Sequence, residues 1–299
     1  MPKATINGLS IHYQQVGHGP DVVLVHGITG SLAYWWVRTV PFLKDQFRVT
    51  TYDLRGHGYS EMPPSGYTSA DMAGDLIGLL DYLEIPQAHL VGHSFGGPII
   101  LHTALLRPER VTDLVVVDSD IPALQHLHQR QDWAYFEAHK AWLADSLGLS
   151  IPDERWDDLR YVFQRTLEVP ITYGMRRGQK RDSGRGRLLR LLDNTTACDD
   201  LAAVAGLSEE ALCTITPLTL LLYGERTRFL GAFNFLKDHM PNARAWLVPN
   251  RGHQLPLIRP AVFIKSIKTF WRRRYDFDAG MVESELLEEA VPVAIGDSW

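Results

Sequence analysis

The 299-residue sequence has few cysteines and no large excess of charge of either sign, and these two features exclude several classes of protein. Cys198 and Cys213 are too few for a disulfide framework, and neither has the spacing of a metal ligand. Thirty basic residues against 35 acidic ones give a net charge of −5, without the basic excess typical of proteins that bind nucleic acid. We therefore expect no disulfide scaffold and no nucleic-acid partner.

Long hydrophobic runs are also missing. No segment approaches the roughly 20 apolar residues that cross a bilayer. The opening MPKATINGLSIHYQQ has no apolar stretch of the kind found in secretory signals. The sequence also lacks a cluster of His, Asp or Glu with metal-ligand spacing, and it lacks a Gly-x-Gly-x-x-Gly phosphate cradle. We expect a cytoplasmic protein with no membrane span, no metal and no cofactor.

What the sequence does contain is an alternation of strand-like and helix-like segments over residues 1–119. Continuous runs such as VVLVHG and LVVVD are typical of parallel strands that are buried on both faces. Their alternation with helical patterns predicts an α/β fold with a mostly parallel sheet. The predicted strands are 4–6, 10–15, 22–26, 48–53, 89–92 and 114–118, and the predicted helices are 32–44, 69–83 and 96–106.

The alternation stops near Asp120 and resumes at Pro217, with two further strands and a helix that ends near Arg274. A helical insertion between two strands of a sheet is a natural place for a lid. We therefore predict an α/β core over 1–119 and 217–275, a helical lid over 120–216 and an acidic tail over 276–299. The lid sequence is rich in aromatic residues, namely Trp133, Tyr135, Phe136, Trp142, Trp156, Tyr161, Phe163 and Tyr173.

The strongest motif is Gly92-His93-Ser94-Phe95-Gly96-Gly97, between a buried strand and a helix. It is a Gly-x-Ser-x-Gly sequence in a strand–turn–helix setting, where small residues allow the sharp turn that exposes the serine. The turn also places the start of the next helix beneath Ser94, so that its amide hydrogens point where an oxyanion would form. The alternative is a glycine-rich turn with an ordinary serine, which the flanking strand and helix disfavour.

A serine hydroxyl is a weak nucleophile and needs a base that takes its proton during attack. His253 is the candidate, because it follows the last predicted strand in the turn NRGHQLP, as the chain order Ser, acid, His requires. The other histidines have ordinary structural explanations. His57, for example, lies in a turn that we interpret as structural.

These motifs resemble the α/β-hydrolase fold superfamily, in its branch of small lidded esterases and C–C hydrolases. His26-Gly27, the sequence DLRGHGYS at 53–60 and Gly252-His253 match three further landmarks of that family. The resemblance implies a mostly parallel eight-stranded sheet with a helical lid after strand six. It also implies a nucleophile at Ser94, a base at His253 and an oxyanion hole made by the backbone amides of Ile28 and Phe95.

The acid of the site departs from the family pattern. The family usually has an aspartate in a Gly-x-x-Asp turn after strand seven, and Thr227 occupies that position here. Asp118, at the end of strand six, is our first candidate, because neighbouring strands are only about 4.8 Å apart and some branches of the superfamily use an acid from this strand end. Glu225 is the second candidate and Asp120 the third. In the remaining alternative no carboxylate serves, and hydrolysis is weakened or lost.

The residues together predict a cofactor-free serine hydrolase that cleaves an ester, thioester or lactone of a bulky apolar or aromatic small molecule through an acyl-enzyme on Ser94. Acyl transfer, cyclisation or C–C cleavage on the same triad is the alternative, and a ligand-binding protein without catalysis is the alternative of another class. Epoxide hydrolase and dehalogenase chemistry is disfavoured, because both need a carboxylate where Ser94 stands.

The lid sequence also contains a basic stretch over 175–190. A mobile, solvated loop is the favoured interpretation, because its glycines and serine favour flexibility. The alternative is a docking patch for an acidic or carrier-protein partner. Its seven basic residues are Arg176, Arg177, Lys180, Arg181, Arg185, Arg187 and Arg190.

Overall fold

The computed structural model describes residues 1–128, 133–156, 161–162, 164–165 and 185–272. Its centre is an eight-stranded sheet. The strands are β1 (Lys3–Ile6), β2 (Leu9–Val16), β3 (Asp21–Val25), β4 (Arg48–Tyr52), β5 (Ala88–His93), β6 (Val111–Val117), β7 (Thr219–Gly224) and β8 (Ala243–Val248). Their order in the sheet is β1-β2-β4-β3-β5-β6-β7-β8. The pairs β1–β2 and β2–β4 are antiparallel and the other pairs are parallel.

Helices cover both faces of this sheet. Those described are α1 (Ala33–Trp36), α2 (Val40–Leu43), α3 (Ser69–Tyr82), α4 (Gly96–Leu106), α5 (Phe136–Leu147), α6 (Arg185–Asn194), α7 (Ala197–Ala202), α8 (Glu209–Leu212), α9 (Leu230–His239), α10 (Leu255–Ile258) and α11 (Pro260–Arg272). Helices α3, α4 and α9 contribute to one apolar core, and α1, α2 and α11 contribute to the other. The predicted α/β-hydrolase fold with a mostly parallel eight-stranded sheet is confirmed.

Alternate residues of each central strand pack into opposite apolar cores. In β3, Val23 and Val25 lie in one core, whereas Val22 and Leu24 lie in the other, and all four are fully buried. Successive side chains of a strand point to opposite faces, so a strand covered on both sides must be apolar at every position. This is why the continuous Val- and Leu-rich runs identified the strands, whose ends lie within three residues of those predicted for 1–119.

The single helix predicted over 32–44 is wrong. The structure has two short helices instead, α1 and α2, separated by residues 37–39. Pro41 is the second residue of α2. In one continuous helix it would have no N–H for the carbonyl of Val37, and its ring would clash with that carbonyl. The chain therefore begins a new helix next to the proline.

The segment between β6 and β7, which we call the insert (residues 120–216), contains α5 to α8 in its described part. It has a small apolar core of its own, formed by Phe136, Leu143, Leu149, Ile151 and Trp156. The boundaries of core, lid and tail stay predictions, and most of 157–184 and all of 276–299 lie outside the described residues.

The basic stretch 175–190 lies largely outside the described residues, so the docking patch stays a prediction. Only the last part of the stretch, in α6, is described. There, Arg187 donates hydrogen bonds from Nε to the carbonyl of Gly56, at 2.9 Å, and from Nη2 to the carbonyl of Ser60. Arg190 on the same helix is exposed.

Candidate active site

Ser94 lies in a strained turn between β5 and α4. Its φ angle is 55°, in the left-handed region that side chains other than glycine rarely adopt, and its N–H donates to the carbonyl of Val117 at 3.0 Å. A Cβ at Gly92 would lie 2.2 Å from the carbonyl oxygen of Gly96, and a Cβ at Gly96 would lie 2.4 Å from that of Val25. The turn therefore requires glycine at both positions, and it holds the serine at the carboxyl ends of the parallel strands.

Asp118 contacts His253 directly. It follows the last residue of β6, has a φ angle of 43° and is fully buried. Its Oδ1 lies 3.2 Å from Nδ1 of His253, which follows β8 two strands away in the sheet. An Nδ1–H that donates to Asp118 leaves Nε2 as the acceptor of the ring, which is the arrangement a base requires.

Thr227 holds the Asp118 carboxylate from the other side. Its hydroxyl donates to Oδ1 of Asp118 at 2.5 Å, and the N–H of Gly224 donates to Oδ2 at 2.8 Å. Three donors, including His253, therefore compensate a carboxylate that no water reaches. The threonine in the family's usual acid position does not act as the acid and instead orients the aspartate that does contact the histidine.

The two other acid candidates have different partners. Oε2 of Glu225 accepts the N–H of Asn250 at 2.7 Å. Asp120 accepts from Gln125 at 3.2 Å and lies 3.3 Å from Nδ1 of His128. Among the described residues, neither carboxylate contacts His253. The geometry thus favours Asp118 over both.

His93 is a residue of the site that the sequence did not reveal. Its Nε2 donates to the carbonyl of His253 at 2.7 Å, the two rings lie 4.7 Å apart, and Tyr34 stacks on His93 at 4.8 Å. Burial, with a smaller contribution from His253, lowers the pKa of His93 to about 3, so its ring stays neutral. His93 therefore ties the histidine loop to the turn that carries Ser94. Its only sequence signal is its place inside the Gly-x-Ser-x-Gly motif.

No hydrogen bond joins Ser94 to His253 among the described residues, although His93, which precedes Ser94, binds the His253 carbonyl. The His253 side chain is 36% exposed, and the ring of Phe229 meets it edge-on at 5.5 Å. Catalytic hydrogen bonds are often long before substrate binds and tighten in the complex.

The predicted oxyanion amides lie beside the serine. A Cβ at Gly27 would be 3.1 Å from Oγ of Ser94, so the backbone that leads to Ile28 passes against the nucleophile. Phe95 follows Ser94 directly and precedes the first turn of α4. In the described part of the chain, no acceptor takes the N–H of Ile28 or that of Phe95.

The described residues contain no group of three or more His, Cys, Asp or Glu that could hold a metal ion. They also contain no helix that is long and apolar enough to cross a membrane.

The family model for the alpha/beta hydrolase fold matches residues 20–181, which is more than half of the chain. The chain therefore belongs to the α/β-hydrolase family, as the sequence resemblance predicted.

Individual relatives are similar over different lengths. Epoxide hydrolase 2 of Siraitia grosvenorii is 42% identical over 112 residues, so the match covers 36% of this chain and 35% of that protein. A putative 2-succinyl-6-hydroxy-2,4-cyclohexadiene-1-carboxylate synthase of Bacillus subtilis (strain 168) is 27% identical over 275 residues, 87% of this chain and 94% of that protein. The chain thus matches only about a third of the length of the first of these relatives.

The fold is also similar to that of solved structures. The enol-lactonase from Burkholderia xenovorans LB400 has a TM-score of 0.61 and 22% sequence identity, with 91% of this chain and 100% of that chain covered. At this identity the similarity shows the fold alone.

Proposed function

We propose that this protein is a cofactor-free serine hydrolase that cleaves an ester, thioester or lactone. The observation that carries this proposal is the contact of His253 Nδ1 with Asp118 Oδ1 at 3.2 Å, next to the strained turn of Ser94. This contact supplies the acid that the Gly-x-x-Asp position lacks. Ser94, His253 and Asp118 are the proposed catalytic triad.

In the proposed reaction, Oγ of Ser94 attacks the substrate carbonyl carbon while Nε2 of His253 takes the hydroxyl proton. The N–H groups of Ile28 and Phe95 bind the oxyanion of the tetrahedral intermediate. As the intermediate collapses, the alcohol or thiol leaves with the proton from His253, and an acyl-serine remains. Water then attacks the acyl-serine, giving its proton to His253, and the carboxylic acid and the free Ser94 hydroxyl are released.

Asp118 has an electrostatic role in this scheme. It keeps the proton of His253 on Nδ1 and stabilises the imidazolium that forms during attack, without itself becoming protonated. The donors Thr227 and Gly224 support this role, because they hold the carboxylate in the orientation in which Oδ1 faces the histidine.

The insert is proposed as the lid of the site. The indole of Trp133 donates to the carbonyl of Arg226 at 3.1 Å, and the Arg226 guanidinium lies over the ring of Tyr135 at 5.2 Å. These contacts hold the insert against the loop next to Thr227. Together with the ring of Phe229 at His253, the aromatic surroundings favour a bulky apolar or aromatic acyl group.

Hydrolysis of p-nitrophenyl acetate, butyrate and benzoate, of a matching thioester and of a lactone tests the proposal. We expect turnover of at least one of them, and Ser94→Ala should lower kcat by a factor of about 10³ or more, because the covalent intermediate can no longer form. Turnover by Ser94→Ala equal to that of the wild type would show that another group carries the reaction.

A further inference from the structure

The loop that leads from β3 is held by side chains that bind its carbonyl groups. The carbonyl of Gly27 accepts from Nδ1 of His26 at 2.7 Å and from the N–H of Gly30 at 2.9 Å. The N–H of Leu54 donates to Nε2 of His26 at 3.1 Å, so Nδ1 is the nitrogen that carries the ring proton. Both ring nitrogens of this buried histidine are therefore paired.

The fixed carbonyl of Gly27 determines where the N–H of Ile28 points. Both groups belong to one peptide unit, and none of the described peptide bonds is cis. In a trans peptide the C=O and N–H point in opposite directions. The Ile28 N–H is thus directed away from His26.

The next peptide unit is held by a second histidine, His57. Its Nε2 lies 2.6 Å from the carbonyl of Ile28, and its Nδ1 lies 2.9 Å from the carbonyl of Arg55. The residue is 5% exposed, and burial lowers the pKa of its ring. A neutral imidazole has one N–H, and we assign it to Nε2, the donor to Ile28, because that contact is the shorter of the two.

The insert contacts the turn that contains His57. Arg187 of α6 donates to the carbonyls of Gly56 and Ser60, the residues on either side of the tip of that turn. The rings of His57 and His26 meet edge-on at 5.4 Å. A continuous set of contacts therefore runs from the insert, through His57, to the backbone on both sides of the Ile28 amide.

We propose that His57 is a positioning residue of the oxyanion hole. We also propose that Arg187 couples the position of His57 to the packing of the insert against the turn that contains His57. His57 donates to the Ile28 carbonyl and so holds the loop in the orientation that directs the Ile28 N–H at Ser94. When the hydrogen bonds of Arg187 are lost, the turn can move, and the Ile28 N–H is then no longer held in one direction. The inference rests on the proposed function, because the oxyanion hole is part of that proposal.

The first test separates kcat from KM for the best p-nitrophenyl ester. His57→Phe removes the donor at similar ring size and should lower kcat about 10- to 100-fold, less than the loss of a whole oxyanion donor, with KM changed less than about threefold. His57→Gln supplies an amide N–H and should recover most of that loss. Unchanged kcat in a folded His57→Phe, or equal losses in Phe and Gln, would overturn the proposal.

The second test uses two arginines of one helix. Arg187→Met should lower kcat about threefold to tenfold by loosening the turn, whereas Arg190→Met is the matched control because Arg190 is exposed. Equal kcat for the two variants would overturn the coupling. If His57→Phe fails to fold, the Arg187 and Arg190 variants decide the coupling, and a loss of kcat of tenfold or more in His57→Gln would overturn the role of the N–H donor.

A third measurement does not depend on activity. Amide hydrogen exchange over residues 26–32 should be faster in Arg187→Met than in Arg190→Met, since the loop opens more often when its support is lost. Equal exchange would overturn the coupling even in an inactive protein. A wild type that hydrolyses none of the substrates, with the exchange difference present, would instead reject the proposed function alone.

Discussion

At the scale of single residues, the candidate site depends on an aspartate that stands on a different strand from the family's usual acid. Thr227 has the usual position, is 2% exposed and donates to Asp118. The proposed acid thus follows β6, and the residue in the usual acid position is a hydrogen-bond donor to it. The carboxylate still contacts Nδ1 of His253, because the parallel strands β6, β7 and β8 all end at the same edge of the sheet.

Replacing Asp118 should test this arrangement directly. We expect Asp118→Asn to lower kcat by a factor of about 10³ to 10⁴, because an amide can hold His253 in the wrong tautomer and cannot stabilise the imidazolium. Glu225→Gln is the matched control, and it should stay within about threefold, because its amide oxygen can still accept the N–H of Asn250. Steady-state hydrolysis of a p-nitrophenyl ester measures both.

A double variant distinguishes loss of the acid from misfolding. Asp118→Asn combined with Thr227→Asp returns a carboxylate to the usual family position, beside residue 118, and should recover part of the lost kcat. A small effect of Asp118→Asn together with a large effect of Glu225→Gln would show that the proposed acid is the wrong one.

Motifs in the sequence predicted the candidate nucleophile and base because those residues lie in turns of recognisable composition. Asp118 could be favoured only as one of several acids, since the choice depends on a contact across 135 residues. His93 and His57 were not predicted. Their partners are the carbonyls of His253 and Ile28, and a backbone acceptor leaves no signal in the sequence.

At the scale of elements, the continuous apolar runs predicted the buried strands well, and a polar residue caused the largest error in a strand boundary. The strand predicted from Leu114 begins at Val111 in the structure, so that β6 includes Asp113. Aspartate disfavours strands, but this one is buried and bound by His89 at 2.8 Å and by Trp271 at 3.1 Å. Such long-range compensation cannot be predicted from local composition.

Two aspartates of α3 allow a matched test of how burial affects the contribution of an ion pair to the free energy of unfolding. Asp75 accepts two hydrogen bonds from Arg55, at 2.6 and 2.7 Å, with both side chains at most 10% exposed. Asp81 pairs with Arg110 and is 62% exposed. Asp75→Asn should lower the free energy of unfolding by about 3–5 kcal/mol, because Arg55 remains buried and unpaired.

Asp81→Asn should cost about 1 kcal/mol or less, because an exposed pair gains little over hydration. Urea denaturation of both variants gives the two values. Equal losses of unfolding free energy in the two variants would mean that the Arg55–Asp75 pair stabilises the protein no more than an exposed ion pair does. The turn after β4 would then be held by other contacts.

At the scale of the whole molecule, buried histidines make stability depend on pH. Burial is the largest cause that lowers the pKa values of His26 and His93 to about 3, from 6.5. Below about pH 6.5 the unfolded chain therefore binds protons that the folded protein does not. The free energy of unfolding should fall as the pH falls from about 6.5 toward 3, by up to about 1.4 kcal/mol per pH unit for each histidine.

His93→Gln isolates one of these contributions, because glutamine does not titrate. The dependence of unfolding free energy on pH, measured by urea denaturation at pH 5, 6 and 7, should be shallower in His93→Gln than in the wild type, whatever the change in absolute stability. Parallel curves would contradict the neutral, buried state of His93.

The central claim is that Ser94 is an activated nucleophile even though threonine stands in the usual position of the acid. Intact-mass measurement after treatment with a fluorophosphonate, with Ser94→Ala as the control, tests this most directly. The account predicts one adduct on the wild type, none on Ser94→Ala, and strongly slowed labelling of Asp118→Asn. A folded wild type that remains unlabelled, or a Ser94→Ala variant labelled to the same extent, would contradict it.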